Sequence, residues 1–399
     1  MIGAGAAGMM AAIFAARRGR RTLLLEKCRQ PGLKILISGG GRCNLTTTKS
    51  GKDLEAQYGA ARGRFLRHAL RSFPPTALRE FVEQAGLPLR EEDLEKLFPV
   101  SQKARDVVEL LLRLVRESGA SLRTGNGVRA LRRDGDGFVI DSDGGEVRAG
   151  SVVLATGGLS YPKTGATGDG YAWCRDLGHT ITATFPALAP LAVDEAWVKE
   201  LQGIVLHDVD LCSLDAAGRV LCSRRRPILF THKGLSGPAP MDLAGDVEEQ
   251  RGAGAVRFDF APEERADDLE RQWLAAIAAH GTRAVASLLP QRLPERARAA
   301  LVSRAGAAGT LANLDKAARR RLLDATKRLC VPVARSLGYD HAEVTRGGVA
   351  LDEVDPRTMQ SRVAPGLFVC GELLDVDGPI GGFNFQAAFA TGRLAGLHA

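Results

Sequence analysis

Three glycines within the first eight residues constrain this chain more than anything that follows: Gly3, Gly5 and Gly8 in "MIGAGAAGMMAAIFAARRG". The spacing G-x-G-x-x-G belongs to a tight turn from a parallel strand into a helix, where backbone N–H groups can face a diphosphate. The alanine-rich run from Ala6 to about Arg18 predicts that helix, with Gly19 as its stop. "RTLLLEK" then reads as a buried parallel strand ending on Glu26. An acid at that place can accept hydrogen bonds from ribose hydroxyls, and it serves FAD and NAD equally well. Only Met1 and Ile2 precede the first glycine, so the strand that should lead into the turn is nearly absent from the sequence.

The spacing of apolar residues in "PTALREFVEQAG" and "SQKARDVVELLLRLVRESGA" predicts two amphipathic helices. The segment from Ser121 to Gly158 has short apolar runs broken by D-G and G-G turns, the pattern of a β-meander, and returns through the apolar strand "SVVLATGG". Residues 185–339 differ in character: β-rich to about 262, helical from about 263. "GLFVCGELLDVDGPIGGFNFQAAFATGRLAG" goes back to buried strand, glycine-rich loop and alanine-rich helix. The expected fold class is α/β: a discontinuous nucleotide-binding Rossmann domain, residues 1–184 and 340–399, with 185–339 as an insertion.

Four further motifs carry chemistry. In "KILISGGGRCNLT" three glycines expose backbone N–H groups, with Lys34 and Arg42 expected to add positive charge and Ser38 and Asn44 polar contacts. Cys43 in the same loop is a candidate proton donor, or a small packed residue. "LATGGLSYPKTGATGDGY" brings Thr156, Gly157 and Gly158 past a bound dinucleotide, with Tyr161 and Lys163 in the loop beyond. "FTHKGLSGPAPM" offers His232 as a general acid near neutral pH. In the last motif Glu372 ends a strand, Asp375 follows, and Gly381–Gly382 open a helix whose positive end can face developing negative charge.

The seven cysteines include no C-x-x-C pair and no cysteine–histidine cluster, which argues against a zinc site or a disulfide framework and suits a cytoplasmic protein. No apolar stretch reaches the eighteen or so residues of a membrane helix. The net charge of +8 is unevenly spread: residues 281–339 hold twelve Lys/Arg against three acids, residues 190–280 ten against sixteen. A basic helical segment can track nucleic-acid phosphates, or be a solvated surface.

In order and spacing, "SGGGRCN", "ATGGLSYPKTGATGDGY", "FTHKGLSGP" and "GELLDVDGPIGGFNFQ" resemble the BaiN/RdsA family of NAD(P)/FAD-dependent oxidoreductases, over nearly the whole chain. The resemblance implies a glutathione-reductase-like FAD domain interrupted by a β-barrel-like and helical insertion. It also implies NAD(P)H as transient reductant, and reduction of a carbon–carbon double bond, in ribosomal RNA uridine or in a small-molecule enone of the bile-acid type. A flavin-binding module that senses redox state is a further class compatible with the motifs. Carried onto this sequence, the FAD contacts fall on Gly3, Gly5, Ala6, Ala7 and Gly8; on Glu26, Lys27 and Lys34; and on the loop Ser38, Gly39, Gly40, Gly41, Arg42, Cys43 and Asn44. The remaining contacts fall on Thr156, Gly157 and Gly158, with Val128 near the adenine, and on Gly371, Glu372, Asp375, Gly381, Gly382, Phe383 and Asn384. Tyr161, His232 and Cys43 are the proton-donor candidates, and segment 281–339 the candidate RNA contact. Relatives carry a longer first strand, so the resemblance implies that roughly four residues of it are missing here, through a misassigned start or trimming.

Overall fold

The computed structural model describes residues 1–399, which divide into two compact units: Met1–Pro186 with Ala342–Ala399, and Ala187–His341.

The first unit is built on a parallel sheet. Strand Leu23–Leu25 pairs in parallel with Ser121–Arg123, and Val152–Leu154 with Leu367–Val369. Ile2 bridges Leu25 on one side and Leu154 on the other, both in parallel. Its N–H donates to the Val153 carbonyl at 2.9 Å, and the Gly3 N–H donates to Leu25 at 2.8 Å. Met1 and Ile2 thus occupy the central place of the sheet, and the glycine turn leaves from its carboxyl end. Helices cover these strands, so their side chains are apolar without alternation: Leu24, Val153, Leu154, Leu367 and Val369 are all buried.

The opening helix, Ala6–Arg17, lies against the closing helix, Phe383–His398. Their small residues set the spacing: a Cβ on Gly392 would sit 2.3 Å from the Ala7 carbonyl oxygen, and one on Gly396 2.3 Å from that of Ala11. Backbones approach this closely only where a side chain is missing. The helix Ala104–Glu117 buries Val107, Val108, Leu111, Leu114 and Val115, the single stripe its sequence period predicts. The meander is a three-stranded antiparallel sheet of Val128–Asp134, Gly137–Ser142 and Gly145–Ala149.

The second unit has a five-stranded and a four-stranded sheet, both open in strand order. Its core holds Trp197, Phe230, Phe258 and Phe260, with ring centroids 5.2 to 6.3 Å apart. Helices Ala266–Ala279, Glu295–Arg304 and Lys316–Lys327 follow. The expectation of helix from 263 to 339 fails at its end, where Leu329–Pro332 and Arg335–Ser336 are strands that join one sheet each. Strands of four and two residues are too short to leave a readable alternation in the sequence. No helix is long and apolar enough to cross a membrane.

Candidate functional site: a glycine-lined dinucleotide cradle

The three fingerprint glycines have different neighbours. Gly3, at φ +97°, packs on the sheet, since a Cβ there would meet the Ala155 carbonyl oxygen at 2.5 Å. Gly8 packs on the turn itself, with a virtual Cβ only 1.8 Å from the Gly3 carbonyl oxygen. Around Gly5 no atom lies within 4 Å of that position. Two of the glycines therefore let the chain pack, and the middle one leaves open space at the helix N-terminus. Glu26 accepts from the Ala4 N–H at 2.7 Å and the Cys28 N–H at 2.8 Å. Each carboxylate oxygen keeps a second lone pair for a hydroxyl. Asn126 donates its N–H to the Glu26 carbonyl, which brings the half-buried Val128 to this end of the cradle.

Lys27 bonds Thr167 at 2.5 Å and Asp169 at 2.7 Å, fastening the loop after Tyr161 to the strand end that carries Glu26. At the end of Val152–Leu154, the Thr156 hydroxyl is buried with no partner, and the neighbouring Gly157, at φ +74°, faces open space. Gly158 packs against Thr345, whose hydroxyl accepts from the Leu159 N–H at 2.8 Å. Glu372, in the turn opened by Gly371, accepts from the Thr345 N–H at 2.8 Å and pairs with Lys34 at 2.5 Å.

Left-handed backbone runs through Gly39, Gly40, Gly41 and Cys43 in the loop Ser38–Asn44. Arg42 is bound to Glu92 at 2.9 Å and stacks over Phe98 at 4.3 Å. The free positive charge expected from Lys34 and Arg42 is thus not there: each sits on a carboxylate of its own unit, which lowers the local field. Asn44, with its amide oriented by its surroundings, donates to Thr46 and accepts from the Gly382 N–H, both at 2.9 Å. This ties the loop to the closing helix.

The segment 375–384 is held from several sides. Arg62 donates to Asp375 at 2.8 Å and pairs with Asp377 at 3.2 Å, while Arg346 reaches Asp377 at 3.1 Å. The Tyr58 hydroxyl donates to the Phe383 carbonyl at 2.7 Å. Asn384 closes on Gly378 through two hydrogen bonds, so its amide fixes this loop. Arg62, Thr345, Arg346 and Asp377 were not singled out in the sequence. Arg62 lies in "GAARGRFLRHAL", which reads as an ordinary amphipathic helix, and only the "RGG" at 346–348 carried a visible signal.

Beside Asp375 opens a cleft of about 530 Å³, lined by Tyr58, Gly59, Ala60, Ala61, Arg62, Thr182, Ala350, Leu351, Asp352 and Asp375. Of the three proton-donor candidates, Cys43 is fully buried and its thiol is pushed up to about 12 by burial, against a weaker lowering by Ser38. Tyr161 is half-buried, with a left-handed φ of +51°, and burial and then the charge of Glu343 raise its hydroxyl above the usual range. His232 is exposed at a hairpin turn of the second unit.

An orphaned hydroxyl at Thr156, open space at Gly5, Gly40 and Gly157, and the Glu26 carboxylate fit an extended dinucleotide. Fold and site together define a Rossmann-type flavoprotein oxidoreductase. A family described as HI0933-like protein Rossmann domain matches residues 1–398, and the chain belongs to that family of FAD-dependent oxidoreductases. Ribosomal RNA dihydrouridine synthase of Escherichia coli is 34% identical over 401 residues, 98% of this chain and 95% of that protein. The 3-dehydro-bile acid delta(4,6)-reductase of Clostridium scindens is 33% identical over 405 residues, 99% and 97% of the two chains. Among solved structures, 3-ketosteroid delta1-dehydrogenase from Sterolibacterium denitrificans has the same fold, with a TM-score of 0.55 at 14% identity over 100% of this chain and 98% of that one.

Proposed function

We propose that this chain reduces the C5–C6 double bond of uridine in large-subunit ribosomal RNA, with NAD(P)H as reductant and FAD in the glycine-lined cradle. FAD, when bound, supplies hydride transfer to an electron-poor carbon. The observation that carries the reading is the cleft at Asp375: it is open to solvent and lined by hydrogen-bonding side chains as well as small apolar ones, which suits a base still attached to a polymer.

The chain's own residues divide the work. Gly5, Gly157 and the N–H groups of the opening helix take the diphosphate, with Thr156 donating its unpaired hydroxyl. Glu26 holds the ribose. The loop Ser38–Asn44 and the pinned start of the closing helix face the ring. Tyr161 gives the proton at Oη that must reach C5 once hydride has reached C6. A tyrosine hydroxyl carries its proton at neutral pH, and unlike Cys43 this one is partly accessible.

The RNA contact falls on the basic part of the second unit, and fewer charges are available there than composition alone suggests. Of the twelve Lys/Arg in 281–339, eight are engaged internally: Arg292, Arg304, Arg319, Lys327 and Arg328 with acids, Arg296, Arg298 and Arg321 with carbonyl oxygens. Arg283, Lys316, Arg320 and Arg335 are exposed and outside these pairs, and these four would meet phosphates in the cytoplasm.

A small-molecule enone reductase is the second reading, favoured by the 33% identity with the bile-acid enzyme. Mapping dihydrouridine in ribosomal RNA from a deletion strain separates the two. The modification should vanish, return with the wild-type gene, and return only weakly with Tyr161→Phe, since a positioned general acid contributes about a hundredfold or more. An unchanged map overturns the reading.

A further inference from the structure

The cleft beside Asp375 has a polar pattern that selects among ring chemistries. Arg62 projects into it from the first turn of the helix Gly59–Ser72. Its Nε and one N–H of Nη2 are spent on Asp375, and Nη1 lies 3.2 Å from Asp377 Oδ1 without a hydrogen bond to it, which leaves three of a guanidinium's five donors. Asp352, in the turn Leu351–Glu353, lines the same cleft and is exposed, and no hydrogen bond or ion pair engages its carboxylate. The other polar groups in the wall are occupied. Thr182 bonds Gly348 through both its donor and its acceptor, the Asp375 carboxylate is held by Arg62, and the Tyr58 hydroxyl is turned to Phe383. Ala60, Ala61, Ala350 and Leu351 supply the small apolar part of the lining.

We propose that Arg62 and Asp352 read the edge of a cyclic imide, a ring presenting C(=O)–NH–C(=O), and that this selects a pyrimidine-2,4-dione as substrate over an enone. The inference rests on the uridine reading above and gives it a binding site. The carboxylate accepts from the imide N–H, and the spare guanidinium donors meet a flanking carbonyl oxygen. A steroid-type enone offers only an acceptor: it satisfies Arg62 and leaves Asp352 desolvated against a hydrocarbon edge. A site built to bond an N–H discriminates strongly against an analogue that lacks it.

The experiment uses the flavin-loaded protein and follows equilibrium binding by perturbation of the flavin spectrum, with uridine, N3-methyluridine and androst-4-ene-3,17-dione as probes. Uridine should bind at least about tenfold more tightly than N3-methyluridine, the ratio expected for a lost hydrogen bond to a charged group. Asp352→Ala should remove that preference, weaken uridine about tenfold, raise KM for the RNA substrate more than it lowers kcat, and leave the enone unchanged. Flavin content and thermal unfolding confirm that the variant is folded, as expected for an exposed position. Equal binding of uridine and N3-methyluridine by the wild type, or an unchanged preference in Asp352→Ala, overturns the assignment of the cleft. If ribosomal RNA is still reduced in that case, the uridine reading survives; if the wild type reduces no RNA uridine, that reading fails independently of the cleft.

Discussion

In the first unit the glycine turn and the helix pair are set by approaches of backbone to backbone, whereas the helices of the second unit are fastened between long side chains. Gly8 on Gly3, Gly392 on Ala7 and Gly396 on Ala11 bring main chains together at places where no Cβ fits. The second unit instead fastens its helices through pairs such as Arg319–Glu270, Lys327–Asp259 and Arg304–Glu195, over a core of four aromatic rings. The difference teaches where each unit can change. A cradle for a diphosphate needs bare N–H groups at fixed positions, so its residues are set one by one. A surface of ion pairs tolerates exchange, because each exposed pair contributes about 1 kcal/mol or less.

The sharpest way to break this comparison is at the fingerprint. Gly8→Ala should destabilise the first unit by about 3 kcal/mol or more, since its methyl group meets a fixed carbonyl oxygen, and thermal unfolding together with flavin content reports it. Gly5→Ala should leave stability within about 0.5 kcal/mol yet weaken flavin binding, because the space it fills belongs to no protein atom. If both variants unfold alike, the middle glycine is a packing residue and the cradle argument falls.

The second unit is tested by salt. Replacing Arg283, Lys316, Arg320 and Arg335 together with alanine should lower the slope of log affinity against log salt for a ribosomal RNA fragment by up to about four. Arg328→Ala removes a charge already paired with Asp324, and should change the slope by well under one unit. Equal effects from paired and unpaired residues would return the argument to bulk charge.

A smaller, pH-dependent effect belongs to Glu55 in the first unit. Hydrogen bonding from Arg67, with help from Arg71 and against the cost of burial, holds its carboxyl below the usual value of 4.5. A depressed native pKa stabilises the fold above the unfolded value, and the gain is lost as pH falls through the native one. Glu55→Gln should therefore make acid unfolding shallower below pH 4.5, measured as stability against pH, with flavin content at neutral pH unchanged.

Much of the first unit was legible because its local signals agree with its tertiary role. The run Ala6 to Arg18 had to be a helix with little side-chain volume, and it ends one residue earlier, at Arg17. "LLL" before Glu26 had to be buried on both faces, and Leu24 and Leu25 are. Charge was read less well. Lys34 and Arg42 looked available to a ligand, yet Glu372, 338 residues away, and Glu92, 50 residues away, take them. Distant pairing of this kind leaves no mark on a local window. The same holds for Arg62 and Asp352, which no motif contains and which only the fold brings to one cleft.

The amino-acid order alone determined the family, the parallel sheet with its opening glycine turn, and the identity of the segments that converge on the cradle. These rest on backbone freedom and hydrophobic period, which are properties of neighbouring residues. Only the tertiary structure decided which glycines pack and which stand clear, which charges remain unpaired, and which polar groups share a cleft. Those depend on atoms brought together from opposite ends of the chain, and their energies exist only once the contacts do.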